Sequence, residues 1–508
     1  MASTPRPSAP PGRPIRGVLD RLPGARVHGA GDPVVTGITH DSRDVRPGDL
    51  YLARAGEHSH GIDHVAGAVA AGAVAVLTDP ASVPAASAAG VGAVVEVADP
   101  RAAAGPAAAW VYGDPATHLD VIGVTGTNGK TTTAYLLDGG LRAGGRRTGL
   151  VGTVETRIGD EVVPSARTTP EATDLQALFA LMREREVGAV AMEVSSHALA
   201  LDRVAGTTFA VAAFTNLSQD HLDFHADMDD YFAAKARLFT PAYSARAVVS
   251  VDDAWGRRLA DTATVDVTSV GDAPADWIRL DESVTPAGGR TTLRDPDGHE
   301  HDVEVSLPGR FNVRNAAIAY VALVLAGIDP AAARSGIASV TAIPGRMERV
   351  DAGQPFLALV DYAHTPAAVR TLLAEVRALV GAGRVIVVLG CGGDRDRGKR
   401  PLMGAAVARG ADVAVLTNDN PRSEDPLAIL AAMEAGAREV GGTAEIVVEP
   451  DRRRAIALAV DRSKAGDVLV VAGKGHEQGQ EQDGVVTPFD DRVVLRGALA
   501  PSLGEAST

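Results

Sequence analysis

The stretch Val121-Ile-Gly-Val-Thr-Gly-Thr-Asn-Gly-Lys-Thr-Thr-Thr133 decides the fold of this chain. Apolar residues suited to a buried parallel strand run directly into Gly126-Thr127-Asn128-Gly129-Lys130-Thr131-Thr132, and the helix-compatible segment Ala134-Tyr-Leu-Leu-Asp138 follows. That order is the grammar of a phosphate loop. Glycines let backbone N–H groups turn toward a polyphosphate, and the helix N-terminus adds its dipole. Lys130 is placed for the β- and γ-phosphates and the Thr131 hydroxyl for Mg²⁺. The common spacing asks for a further glycine at position 124, where this chain has Val124, so the loop is a variant. Nucleoside triphosphate binding is the expectation.

Working outward, 508 residues suggest about three domains. The hydrophobic fraction of 45% supports several cores, and with aromatics at only 4% those cores must be built from Ala, Val and Leu. A net charge of −15 argues against nonspecific nucleic-acid binding, although local arginine clusters can still hold anions. The single cysteine, Cys391, excludes an internal disulfide framework and fits a reducing cytoplasm. A small buried role is expected for it. No apolar run is long enough for a membrane span, so no membrane insertion is expected. Residues 1–14, with five prolines, read as a disordered tail.

Strand and helix patterns then alternate in three blocks. Residues 15–115 read as a small α/β domain, with apolar runs at Val74–Leu77 and Ala93–Val97. Residues 116–343 continue the phosphate-loop strand with runs at Gly188–Glu193, Phe209–Thr215 and Ala247–Ser250, which implies a mostly parallel sheet. Within this block, Asp272–Val305 carries Gly288-Gly289 and Asp297-Gly298 turns and reads as a β-rich insertion. Ile343-Pro-Gly-Arg346 breaks the pattern, and residues 344–508 form a third, Rossmann-like α/β set. Its strands end at Asp361, Gly390, Asn418 and Gly473. Ligands collect along such carboxyl ends in open α/β sheets.

Glu193 leaves its strand beside the phosphate-loop strand, a usual position for a second Mg²⁺ anchor. The segment Asn216-Leu-Ser-Gln-Asp220-His221-Leu-Asp223-Phe-His225 follows the next strand and is dense in ligating groups, with His221 the expected nitrogen ligand. Lys235 lies in the amphipathic helix pattern Tyr231–Phe239 and by periodicity alone is a snorkelling surface lysine.

Together, Gly126–Thr132, Glu193-Val-Ser-Ser196, Asp220-His-Leu-Asp223 and Asp361-Tyr-Ala-His-Thr-Pro366 resemble the ATP-dependent Mur ligases of peptidoglycan synthesis, in order from about Gly37 to Glu477. The resemblance implies three α/β domains: an N-terminal UDP-binding domain, a central ATPase domain and a C-terminal amino-acid-binding domain. It implies transfer of the ATP γ-phosphoryl group to a substrate carboxylate, then attack by an amine. Lys130, Glu193, His221 and Lys235 become the catalytic set, with Lys235 carrying a carbamate toward Mg²⁺; Thr131, Glu193, His221 and that carbamate are the implied metal ligands. Gly126, Thr127, Asn128, Gly129, Lys130, Thr131, Thr132, Asn312, Arg346 and Asp361 become the ATP site, Asn312 from an adenine-side motif and Arg346 from the hinge.

Asp419-Asn420-Pro421-Arg422 resembles the motif of the family branch that adds meso-diaminopimelate. That amino acid ends in an extra carboxylate, which a planar arginine fork binds bidentately. By the same resemblance Arg395, Gly473 and Glu477 contact the amino acid, while His40, Ser42, Glu57, His58, Ser59, Thr168, Thr169, Ser195 and Arg203 hold the UDP-N-acetylmuramoyl-dipeptide. The chain departs from the pattern at Leu201, where Gln is expected, and at Arg167, where Asn is expected. A cytoplasmic monomer without nucleic-acid partners is the implied setting. Competing readings are the lysine-adding branch, a folylpolyglutamate synthetase, and a non-catalytic nucleotide-binding protein.

Overall fold

The computed structural model describes residues 5–56, 59–163 and 167–500. They form two compact units. Of the described residues, the first comprises those within 5–217, 224–278 and 318–337, and the second those within 218–223, 279–317 and 338–500.

The first unit opens with strands Gly37–Thr39, Asp49–Leu52, Ala75–Thr78 and Ala93–Glu96 paired in parallel in that order, and Arg26–His28 is added antiparallel at the far edge. The second sheet of this unit carries the phosphate loop. Its strands Thr148–Val151, Ala189–Glu193, Asp120–Thr125, Val211–Phe214, Arg246–Ser250 and Asp266–Gly271 lie side by side and parallel. Strands Ala189–Glu193, Asp120–Thr125 and Val211–Phe214 are buried along their inner residues, which is why they read as continuous apolar runs rather than alternating ones. Glu193 pairs in register with Val124, so the carboxylate leaves the sheet level with the start of the loop.

Residues 5–14 depart from the expected disordered tail. Arg6 donates to the buried Asp49 carboxylate at 2.7 Å, and Ser8 donates through its backbone and hydroxyl to Glu184. Arg13–Pro14 then pairs with Val34–Val35. A buried carboxylate needs a partner, and the Asp49 requirement draws the segment onto the domain despite its prolines. Residues 1–4 lie outside the described residues.

In the second unit, Gly288–Arg294 and Glu300–Val305 form an antiparallel hairpin, so the β content expected of Asp272–Val305 is present, although these strands group with the second unit and not with the central block. The main sheet has the order Glu348–Arg349, Leu357–Asp361, Val468–Ala472, Val385–Leu389, Val413–Leu416, Glu445–Val448 and is parallel except at its first pair. Ala472 is in register with both Asp361 and Leu389, and Leu389 with Leu416. Strand ends at one level bring the loops after positions 361, 389, 416 and 472 together. Helices Pro366–Val380, Lys399–Gly410, Pro426–Glu439 and Arg452–Arg462 cover the sheet. Arg452, with no solvent exposure, donates two hydrogen bonds to Asp491 and others to the carbonyls of Asn418 and Ala472. This ion pair ties two of the strand ends to each other.

Candidate active site

In the first unit the phosphate loop is held from behind. The Thr127 N–H donates to the Asn216 carbonyl, the Asn128 N–H to the Asn216 side-chain oxygen, and Asn216 Nδ2 back to the Asn128 carbonyl. Thr215 Oγ1 also donates to that carbonyl, at 2.6 Å. Gly126 has φ +147°, and a Cβ there would lie 2.0 Å from Thr215 Oγ1, so only glycine permits this latch. The helix Lys130–Ala143 starts at the loop's end, with Thr131 and Thr132 buried. Lys130 Nζ donates to the carbonyls of Gly126 and Thr127.

Lys235 is not the surface lysine that its helix periodicity suggested. It is buried, and its Nζ donates to the same Gly126 carbonyl at 2.9 Å while lying 4.6 Å from the Tyr231 ring centre. The Tyr231 hydroxyl is 3.2 Å from Thr127 Oγ1. The helix Met228–Ala236 therefore delivers both side chains to the phosphate loop. His225 turns into the core, with Nδ1 at 3.2 Å from Asp230 and its ring 5.0 Å from that of Tyr231, so it is a packing residue.

Glu193 is buried, and its two oxygens accept from the Thr153 N–H and hydroxyl. Thr153 Oγ1 lies 2.9 Å from Thr168 Oγ1; Thr169 donates to the Glu193 carbonyl and accepts from the Ser195 N–H. Thr168, Thr169, Ser195 and Glu193 thus form one group, with Thr153 as an unforeseen member. A carboxylate and a threonine hydroxyl are the hard oxygen donors that Mg²⁺ takes, so Thr131 and Glu193 fit such an ion.

Beside this group stands Glu171, which pairs with Arg203 (2.9 Å), Arg54 (3.2 Å) and Arg167. Burial pushes the Glu171 carboxyl upward, but Arg203, Arg54 and Arg167 together outweigh it and hold it below its ordinary range. Burial, with Arg101 and the neighbouring guanidiniums, lowers the pKa of Arg54 and of Arg203 as well. Arg54 comes from the N-terminal domain, so the hub joins the two domains of this unit. His40 reaches the same border, with Nδ1 2.9 Å from Thr173 Oγ1; burial lowers its pKa. Ser42 opens a short 3₁₀ turn capped by Asp41, whose carboxyl Arg43 holds at about 2. Ser59 is exposed, while Glu57 and His58 lie outside the described residues.

In the second unit, His221 has φ +55°, with its N–H on Asp220 and its ring 3.5 Å from the same carboxylate. Asp361 is buried and accepts from the N–H groups of Met347 and Ala363; burial raises its pKa. The Arg346 guanidinium lies 4.6 Å from the Tyr362 ring, which also neighbours His364 and His476. Asn312 donates to the Pro308 carbonyl, which fixes the start of its helix. Arg346 and Asp361 are thereby gathered on one loop cluster.

The amino-acid residues also converge. The Gly393 N–H donates to the Asn420 carbonyl, and Arg422 Nη1 donates back to the Gly393 carbonyl at 2.7 Å. Arg422 Nε is 3.3 Å from Glu481. A Cβ at Gly392 would meet both Arg422 and Arg395, so these two arginines flank one point of the loop. Arg422 has φ +51°, which costs a non-glycine residue about 1 kcal/mol, and is pinned there by backbone hydrogen bonds to Glu481 and Asp483 of the hairpin Gly479–Pro488. Asn420 Nδ2 donates to Glu477. Gly473, at φ +111°, has Asp419 Oδ2 where a Cβ would be 2.8 Å away. Cys391 is buried here, and burial pushes its thiol up to about 12, which leaves it chemically quiet and in its expected packing role.

Comparison with known proteins agrees with this arrangement. Residues 34–112 match the model of the Mur ligase family catalytic domain, 124–323 the Mur ligase middle domain, and 345–475 the Mur ligase glutamate ligase domain. The chain is 56% identical over 505 residues to a UDP-N-acetylmuramoyl-L-alanyl-D-glutamate–2,6-diaminopimelate ligase of Streptomyces coelicolor, covering 98% of this chain and 99% of that protein. It is 48% identical to the protein of the same name from Corynebacterium glutamicum, over 94% and 95% of the two chains. A solved structure of a ligase with that name superposes with a TM-score of 0.65 at 33% identity, covering 92% of this chain and 96% of the other. The chain belongs to the Mur ligase family.

Proposed function

We propose that this chain adds meso-diaminopimelate to the D-glutamate of UDP-N-acetylmuramoyl-L-alanyl-D-glutamate, an ATP-dependent amide-bond-forming step of peptidoglycan synthesis. The observation that carries the choice of amino acid is the folded loop Asp419–Arg422, which presents a guanidinium beside Arg395 and a carboxylate at Glu477 from adjoining strand ends. The Arg422 guanidinium suits the distal carboxylate of diaminopimelate, and Glu477 suits one of its ammonium groups. Lysine has no distal carboxylate to offer the outer edge of Arg422.

In this reading the glutamate carboxylate oxygen attacks the γ-phosphorus and ADP leaves. The amine then attacks the acyl carbon, and inorganic phosphate departs. Phosphoryl transfer of this kind depends on positioning and charge neutralisation. The latched loop at Gly126–Thr132 holds the phosphates, and Lys130 turns from the loop carbonyls to them. Thr131, Glu193 and a carbamate on Lys235 would hold Mg²⁺, which neutralises phosphate charge when bound; His221 is the nitrogen ligand that the family resemblance implies. Burial of Lys235 against Gly126 supports this, because a buried amine at the loop is at hand for carbamate formation. Asn312, Arg346 and Asp361 are the remaining ATP residues that the family resemblance implies. Thr168, Thr169, Ser195 and Arg203 support the dipeptide, with His40, Ser42, Glu57, His58 and Ser59 at the nucleotide. Among the described residues no helix is long and apolar enough to cross a membrane; with one cysteine, this supports a cytoplasmic enzyme, expected as a monomer.

The test is phosphate release by purified protein with Mg-ATP and the UDP-dipeptide, comparing meso-diaminopimelate, lysine and no amino acid. Release with diaminopimelate alone, with the matching mass gain of the product, is expected. Release with lysine would overturn the choice of amino acid.

A further inference from the structure

Lys474 has no solvent exposure, although a lysine is almost never fully buried without partners. Its partners explain the burial. Nζ donates to Asn420 Oδ1 at 2.9 Å and to Glu477 Oε2 at 3.1 Å, and Asp419 Oδ1 stands 3.7 Å away. Asn420 Oδ1 also accepts the Glu481 N–H at 3.0 Å, so both of its lone pairs are used. The amide orientation of Asn420 is thereby fixed, and its Nδ2 must point at Glu477 Oε2, 2.9 Å away. Two donors thus converge on one oxygen of Glu477. The residue remains part-exposed, and its other oxygen, Oε1, is the one left to face a ligand.

We infer that Lys474 is a positioning residue for amine recognition: a buried ammonium that orients Asn420 and holds the Glu477 carboxylate so that Oε1 receives an ammonium group of the incoming amino acid. The inference rests on the amino-acid site proposed above. Asp419 belongs to the same network, since its backbone carbonyl accepts from Gln480 and its side chain faces both Lys474 and Gly473. One cation therefore organises three residues that the sequence placed in the site without a common cause. Lys474 itself touches no substrate in this scheme, so its removal acts through Glu477.

The experiment compares wild type, Lys474→Met, Glu477→Gln and the double variant, measuring KM and kcat for diaminopimelate and KM for ATP. A charge-assisted hydrogen bond carries about a tenfold or greater effect on binding. Lys474→Met is expected to raise KM for diaminopimelate roughly tenfold, with KM for ATP unchanged. The double variant is expected to match Glu477→Gln within about twofold, because the two act as one unit. Lys474→Gln, which keeps one donor, is expected to recover part of the loss, and it serves as the comparison should Lys474→Met fail to fold. Wild-type KM for diaminopimelate in both Lys474 variants, or effects that multiply in the double variant, would overturn the inference. If Glu477→Gln itself leaves KM for diaminopimelate unchanged, the amino-acid site assignment fails instead.

Discussion

Replacing Arg422 with alanine gives the sharpest test of amino-acid recognition. The guanidinium has two of its sides engaged, Nη1 with the Gly393 carbonyl at 2.7 Å and Nε with Glu481 at 3.3 Å. The outer edge remains for a ligand carboxylate. One or two charge-assisted hydrogen bonds there contribute about 1.5–3 kcal/mol each in a desolvated site. The Arg422 side chain is 22% exposed, so the bottom of that range applies, about 1.5 kcal/mol for one bond and about 3 kcal/mol for two. Converted at 1.4 kcal/mol per decade, KM for diaminopimelate should rise roughly 10- to 140-fold. KM for ATP and for the UDP substrate should stay within about twofold, since neither contacts this loop in the proposed scheme. Arg422→Lys should recover little, because a point charge cannot reproduce the fork. Initial rates of phosphate release at varied diaminopimelate, with the other substrates saturating, provide the assay. An unchanged KM for diaminopimelate, or an equal rise for all three substrates, would refute the argument; the second result would mean that Arg422 only supports the loop.

Lys235→Ala should lower kcat by about two orders of magnitude or more, the usual loss when one charge-stabilising group leaves a phosphoryl-transfer site; near wild-type turnover would remove Lys235 from the chemistry. Asp491→Ala leaves the buried Arg452 guanidinium without its carboxylate, which should cost about 3–5 kcal/mol in thermal unfolding, and a loss under 1 kcal/mol would contradict the burial argument. The Arg400 hydrogen bond holds the Glu424 carboxyl at about 2, below the ordinary 4.5. Its folded-state pKa is depressed, so its stabilisation is present above about 4.5 and is lost as pH falls toward 2; Glu424→Gln should show a shallower fall in Tm over that window, and an identical slope would count against it.

The sequence carried the parallel strands, the phosphate loop and the strand-end loops well, because continuous apolar runs ending in glycine or charge have few other uses in an α/β protein. It also placed Asp419–Arg422 beside Glu477. What it could not carry were contacts made by residues far apart in the chain. Thr153 is an ordinary threonine until the strand Thr148–Val151 sets it against Glu193. Glu171 gains its meaning only when Arg54 arrives from another domain. Lys235 was misread by periodicity, since a helix can bury a lysine where a loop carbonyl and an aromatic face receive it. The prolines of residues 5–14 signalled disorder, while the contacts that hold the segment, Arg6 on Asp49 and Ser8 on Glu184, are made to residues far along the chain.

The hub at Glu171 has one further consequence. One carboxylate sits among Arg54, Arg167 and Arg203, with Arg101 close enough to be felt by two of them. The local surplus is positive on a chain whose overall charge is −15. A polyanionic substrate is therefore repelled at long range and drawn in only within about a Debye length, roughly 8 Å at physiological ionic strength. Salt acts on the two regimes with opposite sign: it shields the outer repulsion and weakens the inner grip. Association with the nucleotide-sugar should accordingly pass through an optimum ionic strength rather than fall steadily, a signature set by where a few arginines lie against the charge of the whole molecule.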